Sequence, residues 1–206
     1  MENKIQIQKT VEQNVKKISK ILSIKKAKVA IKEVEADKKY IYKDLGGVGG
    51  YCPNSHTVQI SIDFDHSKFK KQSSFLIVST LAHELYHTAQ RQAGINISHG
   101  TFLECLWSEG LADYFSYKFT GKKTIWLKKL NESEYSRLIK KAQNIFSQKM
   151  TDRLYDDWFL KGSHHKNLSR WTGYALGFEM IKRYLKHHPD ESVVSLINIP
   201  AKKINR

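Results

Sequence analysis

His83-Glu84-Leu85-Tyr86-His87 carries the strongest signal in this chain, because it reads H-E-x-x-H inside a helical pattern. Two histidines four residues apart lie on one helical face, so both imidazoles can reach one metal ion. The glutamate beside the first histidine is placed to take a proton from water at that ion. The stretch therefore predicts a zinc site of the kind that zinc-dependent hydrolases use.

The surrounding sequence favours a helix over residues 73–94. Its apolar residues recur at the spacing of one wide helical face: Phe75, Leu76, Val78, Leu81, Ala82, Leu85 and Ala89. Ser73 or Ser74 can cap the start of this helix, and Gly94 can end it. The motif would then lie in the middle of the helix, where a rigid backbone preorganises the site.

A third ligand is expected, since catalytic zinc usually takes three protein ligands and keeps one position for water. A second helical pattern downstream contains Glu109 and Asp113, which are four residues apart and share a face. Glu109 can complete a His2Glu ligand set. Asp113 can then accept a hydrogen bond from the free ring nitrogen of a ligand histidine. An ion pair of Asp113 with Lys118 is the simpler alternative.

Glu104 competes with Glu109 for the third position. The two glutamates are five residues apart, about 140° around a helix, so they cannot both point at one ion. Four positions after Glu104 stands Ser108, whereas four positions after Glu109 stands Asp113. A carboxylate that can orient a ligand histidine favours Glu109.

The motif and its downstream carboxylates resemble the gluzincin metallopeptidases, which include thermolysin and a branch of aminopeptidases. The segment Trp-Ser-Glu-Gly-Leu-Ala at 107–112 is similar to the third-ligand segment of the aminopeptidase branch. Gly-Tyr-Ala-Leu-Gly at 173–177 resembles a bacterial family of predicted zinc-dependent proteases. The resemblance covers residues 73–120 and, more weakly, 171–185.

The resemblance implies a zinc cofactor with three ligands, His83, His87 and Glu109. It also implies that Glu84 is the general base and that Asp113 is a hydrogen-bond partner of a ligand. It implies that water attacks a peptide bond directly, without an acyl-enzyme. The spacer before the third ligand is slightly longer than in the best-known members, and the G-x-M-E-N segment of the aminopeptidase branch is missing. This departure disfavours aminopeptidase action.

A hydrogen-bond donor for the oxyanion is also expected, because such donors lower the barrier by several kcal/mol. The resemblance points to a tyrosine or histidine in the C-terminal half, with Tyr174 as the first candidate and His164 or His165 as the alternative. Tyr174 equally fits an ordinary core position in a helix with small, closely packed residues. The two histidines equally fit a surface loop.

Other metal-binding residue types fit structural roles. His99 lies in the connection between the two ligand helices and fits a loop. His187 and His188 precede a proline and suit a helix C-terminus. Cys52 and His56 are close in sequence, but nothing nearby completes a tetrahedral set.

Length and composition indicate a globular protein. The 206 residues are 40% hydrophobic, enough to bury a core. The two cysteines, Cys52 and Cys105, do not make a disulfide framework. Residues 1–25 have no continuous apolar run, so no ordinary signal peptide is predicted, and no segment is long enough to span a bilayer. We therefore expect a cytoplasmic protein.

The net charge of +15 comes from 35 lysines and arginines against 20 acidic residues. Such a charge can attract nucleic acid or an anionic membrane surface. The lysines are scattered in short pairs, however, and no nucleic-acid module is visible, so we expect a solvated surface and a peptide or protein substrate. Two rivals remain: a gluzincin-like protein that regulates without catalysis, and a basic nucleic-acid or membrane-surface binder. The intact Glu84 argues against the first.

Periodicity along the chain predicts an α+β fold. The predicted elements are a helix at 8–24, strands at 28–34, 39–43 and 57–63, a flexible loop at 46–50, and helices near 132–148, 151–160 and 169–188. Asn131 or Ser133 caps the first of these later helices.

We expect one zincin-like domain over residues 1–206. Residues 1–72 would form a helix with a small antiparallel or mixed sheet, and residues 73–206 a helical lobe that carries the metal site. The strand at 57–62 is either a plain structural strand or the edge strand beside the site, where it can pair with extended substrate backbone.

Overall fold

The computed structural model of the protein describes residues 4–95 and 100–203. It has a three-stranded mixed sheet near the N-terminus and a mostly helical remainder, so the predicted α+β class is confirmed. The chain divides into two compact units, unit 1 with Met1–Ala93 and Phe115–Ile125, and unit 2 with Gly94–Tyr114 and Trp126–Arg206. Among the described residues, no helix combines the length and the apolar character needed to cross a membrane.

Unit 1 combines the sheet with the helix that carries H-E-x-x-H. Its elements are α1 (Lys4–Ile21), β1 (Lys28–Glu33), α2 (Lys39–Tyr42), β2 (Val48–Asn54), β3 (Thr57–Ile62) and α3 (Ser67–Gln92). Helix α3 packs against α1, β2 and β3. The alternating residues Val58, Ile60 and Ile62 of β3 are fully buried, as their period of two predicts.

The order of strands in the sheet is β1-β3-β2. Strand β3 pairs in parallel with β1 and antiparallel with β2. Of the two alternatives for the strand at 57–62, the edge strand is therefore wrong and the plain structural strand remains, since both sides of β3 are occupied. The edge strands are β1 and β2.

The sheet region differs from expectation in two further places. The predicted strand at 39–43 is instead the short helix α2. The predicted loop at 46–50 is correct only at its start, where Gly46 and Gly47 turn the chain with φ of 74° and 89°. Gly49 and Gly50 already belong to β2. A Cβ atom on Gly49 would lie 2.5 Å from the ring of Tyr42, so the absent side chain makes room for α2.

Helix α3 is longer than the predicted helix at 73–94. It begins at Ser67, where the His66 side chain accepts a hydrogen bond from the amide of Lys68. Gln72 has non-helical angles (φ −141°, ψ 30°), so the helix is interrupted directly before the predicted start. Beyond this kink the helix runs to Gln92, and Gly94 follows with φ of 83°.

Unit 2 is helical. It contains most of α4 (Phe102–Thr120), with α5 (Glu132–Gln143), α6 (Asp152–Tyr155) and α7 (Thr172–His187). A π-helical turn, Asp156–Leu160, follows α6 directly. Asn131 caps α5 through a reciprocal capping box with Glu134, which selects it over Ser133. The core of this unit is built from buried apolar residues: Phe102, Leu106, Leu138, Leu154, Trp158, Phe159, Leu168 and Leu176.

Helices α4 and α7 approach each other through glycines. A Cβ atom on Gly110 would lie 2.4 Å from the carbonyl oxygen of Gly177, and one on Gly177 would lie 2.5 Å from the carbonyl oxygen of Leu106. The two backbones are therefore in direct contact. This contact brings the segment that carries Glu109 against the helix that carries Tyr174.

Candidate metal centre

His83 and His87 present their imidazoles to one point, as the motif predicts. Both side chains are buried on α3, and their Nε2 atoms lie 3.1 Å apart. Sequence reasoning missed Gln90, whose Oε1 lies 3.1 Å from Nδ1 of His87. An Nδ1–H that donates to this oxygen leaves the Nε2 lone pair of His87 available to a cation.

Glu109 completes the donor set. One ligand atom from each of His83, His87 and Glu109 lies within 4.8 Å of the other two, and all three residues are buried. Two nitrogens bound tetrahedrally to zinc at the usual bond length are about 3.3 Å apart. The observed separation of 3.1 Å between the histidine nitrogens fits this value. Two imidazoles and one carboxylate are also the donor types that catalytic zinc takes, so the residues fit the ion.

Glu104 has a structural role at the start of α4. Its Oε2 accepts hydrogen bonds from the amide (2.8 Å) and the hydroxyl (3.1 Å) of Thr101. The hydroxyl of Thr101 accepts in return from the amide of Glu104. This is a reciprocal capping box, and it uses the carboxylate that competed with Glu109. The T-x-x-E pattern was present in the sequence and identifies this role.

Glu84 lies against the backbone of β2. The residue is only 9% exposed. A Cβ atom on Gly50 would lie 2.5 Å from Cγ and 2.6 Å from Oε1 of Glu84. Gly50 therefore lets the strand backbone approach the carboxylate closely. This neighbour explains why a glycine stands within a strand at this position.

Similarity to known proteins agrees with this geometry. A family model described as a predicted Zn-dependent protease (DUF2268) matches residues 7–206. The chain belongs to this family. No curated protein matches the chain. No solved structure matches it either. Membership in a family of predicted Zn-dependent proteases and the His-His-Glu group point to the same ion.

In this member of the predicted Zn-dependent proteases, Asp113 has a hydrogen-bond partner that was not predicted from the sequence. The indole Nε1–H of Trp126 donates to Oδ1 of Asp113 at 3.0 Å. Asp113 is fully buried, while Lys118 is exposed, so the setting does not favour the alternative ion pair. The hydrogen bond from a ligand histidine to Asp113 stays a prediction.

Two tyrosines lie beside Glu109 in unit 2. The hydroxyl of Tyr155 lies 3.4 Å from Oε1 of Glu109 and 3.0 Å from the hydroxyl of Tyr174. Burial raises the pKa of both phenols well above the usual value, and the nearby charge of Glu109 raises it further. Both hydroxyls therefore stay protonated at neutral pH. The sequence indicated Tyr174 as a candidate hydrogen-bond donor to the oxyanion, whereas it did not indicate Tyr155.

The remaining described candidates are not members of the His83, His87 and Glu109 group. His164 and His165 are exposed in a turn. His99 lies outside the described residues. Cys52 directs its sulfur at Asn54 and Thr88, and no described group of metal-binding side chains includes it.

We expect Gly50→Ala to reduce catalysis while zinc binding persists. The added methyl group would displace the Glu84 side chain, and if Glu84 is the general base that the motif predicts, a displacement of about 1 Å can cost a factor of about 100 in rate. The measurement is kcat on a peptide substrate together with zinc content. Gly49→Ala is the matched control, because its methyl group would press on Tyr42 from the opposite face of the strand.

The double variant Gly50→Ala/Glu84→Gln shows whether Gly50→Ala lowers kcat through Glu84 or through a general disturbance of the fold. If Gly50 acts through Glu84, the double variant should have the same kcat as Glu84→Gln alone. An additional loss in the double variant, or an equal loss in Gly49→Ala, would contradict this explanation.

Proposed function

We propose that the protein is a zinc-dependent peptidase of the gluzincin type. The ligands are His83, His87 and Glu109, and Glu84 is the general base. The observation that carries the proposal is the buried His-His-Glu group, whose ligand atoms lie within 4.8 Å of one another. The adjacent position of Glu84 on the ligand helix supports it, and so does the family.

A bound zinc ion would supply an acidified water molecule and would polarise the carbonyl group of the substrate. The protein's own residues then handle the protons. Glu84 accepts a proton from the attacking water and delivers it to the nitrogen of the leaving amine. Its burial beside Gly50 restricts its contact with bulk water.

Tyr174 is the proposed donor to the carbonyl oxygen as negative charge develops there. Its hydroxyl keeps its proton at neutral pH, because burial raises its pKa. A neutral hydroxyl held in a buried site stabilises charge more strongly than water does. His164 and His165 are less suited to this role, because they are exposed.

The open edge of β2 is the proposed place for extended substrate backbone. The amide of Asp63 donates to the carbonyl of Gly47 at 2.7 Å, so the carbonyl of Gly47 lies on the side of β3. Residues that face the partner strand alternate with residues that face away in an antiparallel ladder, so Val48 and Gly50 direct their N–H and C=O groups away from β3. No other described strand pairs with this edge. A peptide that adds there would lie beside Glu84.

Chelation and reconstitution test the proposed function. Protein loaded with one zinc per chain should hydrolyse members of an unbiased peptide mixture, as detected by mass spectrometry of the new termini. A chelator should abolish this hydrolysis, and stoichiometric zinc should restore it. Hydrolysis that persists after complete metal removal, or the absence of any cleavage by zinc-loaded protein, would contradict the proposal.

A further inference from the structure

The hydroxyls of Tyr155 and Tyr174 form a hydrogen-bonded row that ends at Glu109. The oxygen of Tyr155 lies between the other two groups, 3.4 Å from Oε1 of Glu109 and 3.0 Å from the oxygen of Tyr174. All three residues belong to unit 2. Tyr155 is therefore hydrogen-bonded to the carboxylate of Glu109 and to the hydroxyl of Tyr174.

The chemistry of the groups fixes the direction of both hydrogen bonds. An ionised carboxylate only accepts, so Tyr155 donates its single proton to Glu109. The oxygen of Tyr155 then has only lone pairs left, so Tyr174 donates to it while no substrate is bound. In that state both protons point along the row toward Glu109. With substrate bound, the Tyr174 hydroxyl would turn to the carbonyl oxygen, and Tyr155 would keep its hydrogen bond to Glu109.

The packing around Phe159 holds the two phenols in place. The ring of Tyr155 stacks on Phe159 with centroids 4.9 Å apart and an interplanar angle of 17°. The ring of Tyr174 meets the same ring edge-on at 5.2 Å and 86°. A Cβ atom on Gly173 would lie 2.6 Å from the ring of Phe159, so α7 approaches this ring closely.

The backbone after Tyr155 is also unusual. The turn Asp156–Leu160 is π-helical and closes with a hydrogen bond of 2.7 Å from the amide of Lys161 to the carbonyl of Asp156. π-Helical turns are rare and occur frequently at functional sites. This turn places the neighbouring Trp158 and Phe159 both in the core while Tyr155 faces Glu109.

From this arrangement we infer that Tyr155 is a positioning residue for the metal centre. Its hydroxyl restricts rotation of the Glu109 carboxylate and so holds that ligand for the two histidines. Tyr174 supports this arrangement through its hydrogen bond with Tyr155. The inference rests on the proposed zinc site, and it adds a residue that sequence reasoning did not identify. Outer partners of metal ligands typically change metal affinity by about 10- to 100-fold when they are removed.

The test compares zinc affinity in three tyrosine-to-phenylalanine variants. Tyr155→Phe should bind zinc about 10-fold or more weakly than the wild type in competition with a chromogenic chelator. Tyr174→Phe should change zinc affinity much less, although we expect it to lower kcat. Tyr184→Phe is the matched control, because it also loses a tyrosine–glutamate hydrogen bond, 3.0 Å to Glu191, away from Glu109.

A second measurement separates positioning from general destabilisation. The metal-free forms of Tyr155→Phe and the wild type should unfold at similar temperatures, whereas the increase in Tm on adding zinc should be smaller for Tyr155→Phe. Wild-type zinc affinity in Tyr155→Phe would overturn the inference, and so would an equal loss in Tyr184→Phe.

The outcomes also distinguish this inference from the peptidase proposal. If the wild type binds zinc but cleaves no peptide, the peptidase proposal fails while the affinity comparison still decides the role of Tyr155. If the wild type binds no zinc, the metal centre is wrong and the inference falls with it.

Discussion

Glu84→Gln should lose peptide hydrolysis, with kcat lower by at least about 100-fold, while it retains one zinc per chain. The amide has nearly the shape of the carboxylate but cannot accept a proton from water. Glu84 is not one of the three residues that we propose as ligands, so the His-His-Glu group stays complete. The measurement is kcat on the best peptide substrate with zinc content determined on the same samples.

The control for this variant is Glu12→Gln, which makes the same change on α1. Glu12 is exposed, and its side chain accepts a hydrogen bond from Gln8 on the same helix. We expect wild-type kcat for this control. Full activity in Glu84→Gln would remove Glu84 as the general base, and loss of zinc in that variant would show that the carboxylate is needed for the metal itself.

Glu109→Ala should release the metal, because it removes one of the three proposed ligands and the only carboxylate among them. We expect zinc well below one per chain after dialysis against a weak chelator. Residual hydrolysis should fall in proportion to the zinc content. Elemental analysis of the dialysed protein gives the result directly.

Glu104→Ala is the discriminating partner of this variant. It removes the other glutamate of α4, whose carboxylate caps the helix at Thr101. Loss of this cap should lower the free energy of unfolding by about 1 kcal/mol and leave zinc in place. The opposite pattern, with zinc lost in Glu104→Ala and kept in Glu109→Ala, would exchange the roles that we assign to the two residues.

The ligand helix and its motif were predictable, since they depend on short-range periodicity. Residues four apart on a helix share a face whatever surrounds them, so the convergence of His83 and His87 follows from the sequence. Glu109 followed from helical spacing combined with the resemblance to gluzincins. The kink at Gln72 and the earlier start at Ser67 were not predicted, because a histidine cap and a local break leave little trace in hydrophobic periodicity.

Strand β2 was not predicted, because glycine is rare in strands and disfavours a strand prediction. A run of Gly49 and Gly50 lacks the β-branched side chains that indicate a strand, and it reads as a turn. In the folded protein the same absence of side chains lets Tyr42 pack on one face and Glu84 on the other. Tertiary packing therefore overrides local propensity at this position.

The partners around the metal ligands were missed because they depend on long-range contacts. Tyr155 contacts Glu109 across 46 positions of sequence, and no periodic pattern connects them. Trp126 reaches Asp113 from a segment that has no regular helix or strand. Such contacts are visible only after the helices have packed, whereas the T-x-x-E cap of Glu104 was readable from the sequence.

Zinc per chain is the most direct test of the proposed metal centre. The wild-type protein, purified without a histidine tag and without chelators, is compared with His83→Ala/His87→Ala by elemental analysis, with folding verified by circular dichroism. The structure predicts one zinc in the wild type and none in the double variant, because the variant loses two of the three donor side chains. A folded wild type that takes up no zinc when zinc is supplied, or a double variant that binds it equally well, would contradict the account.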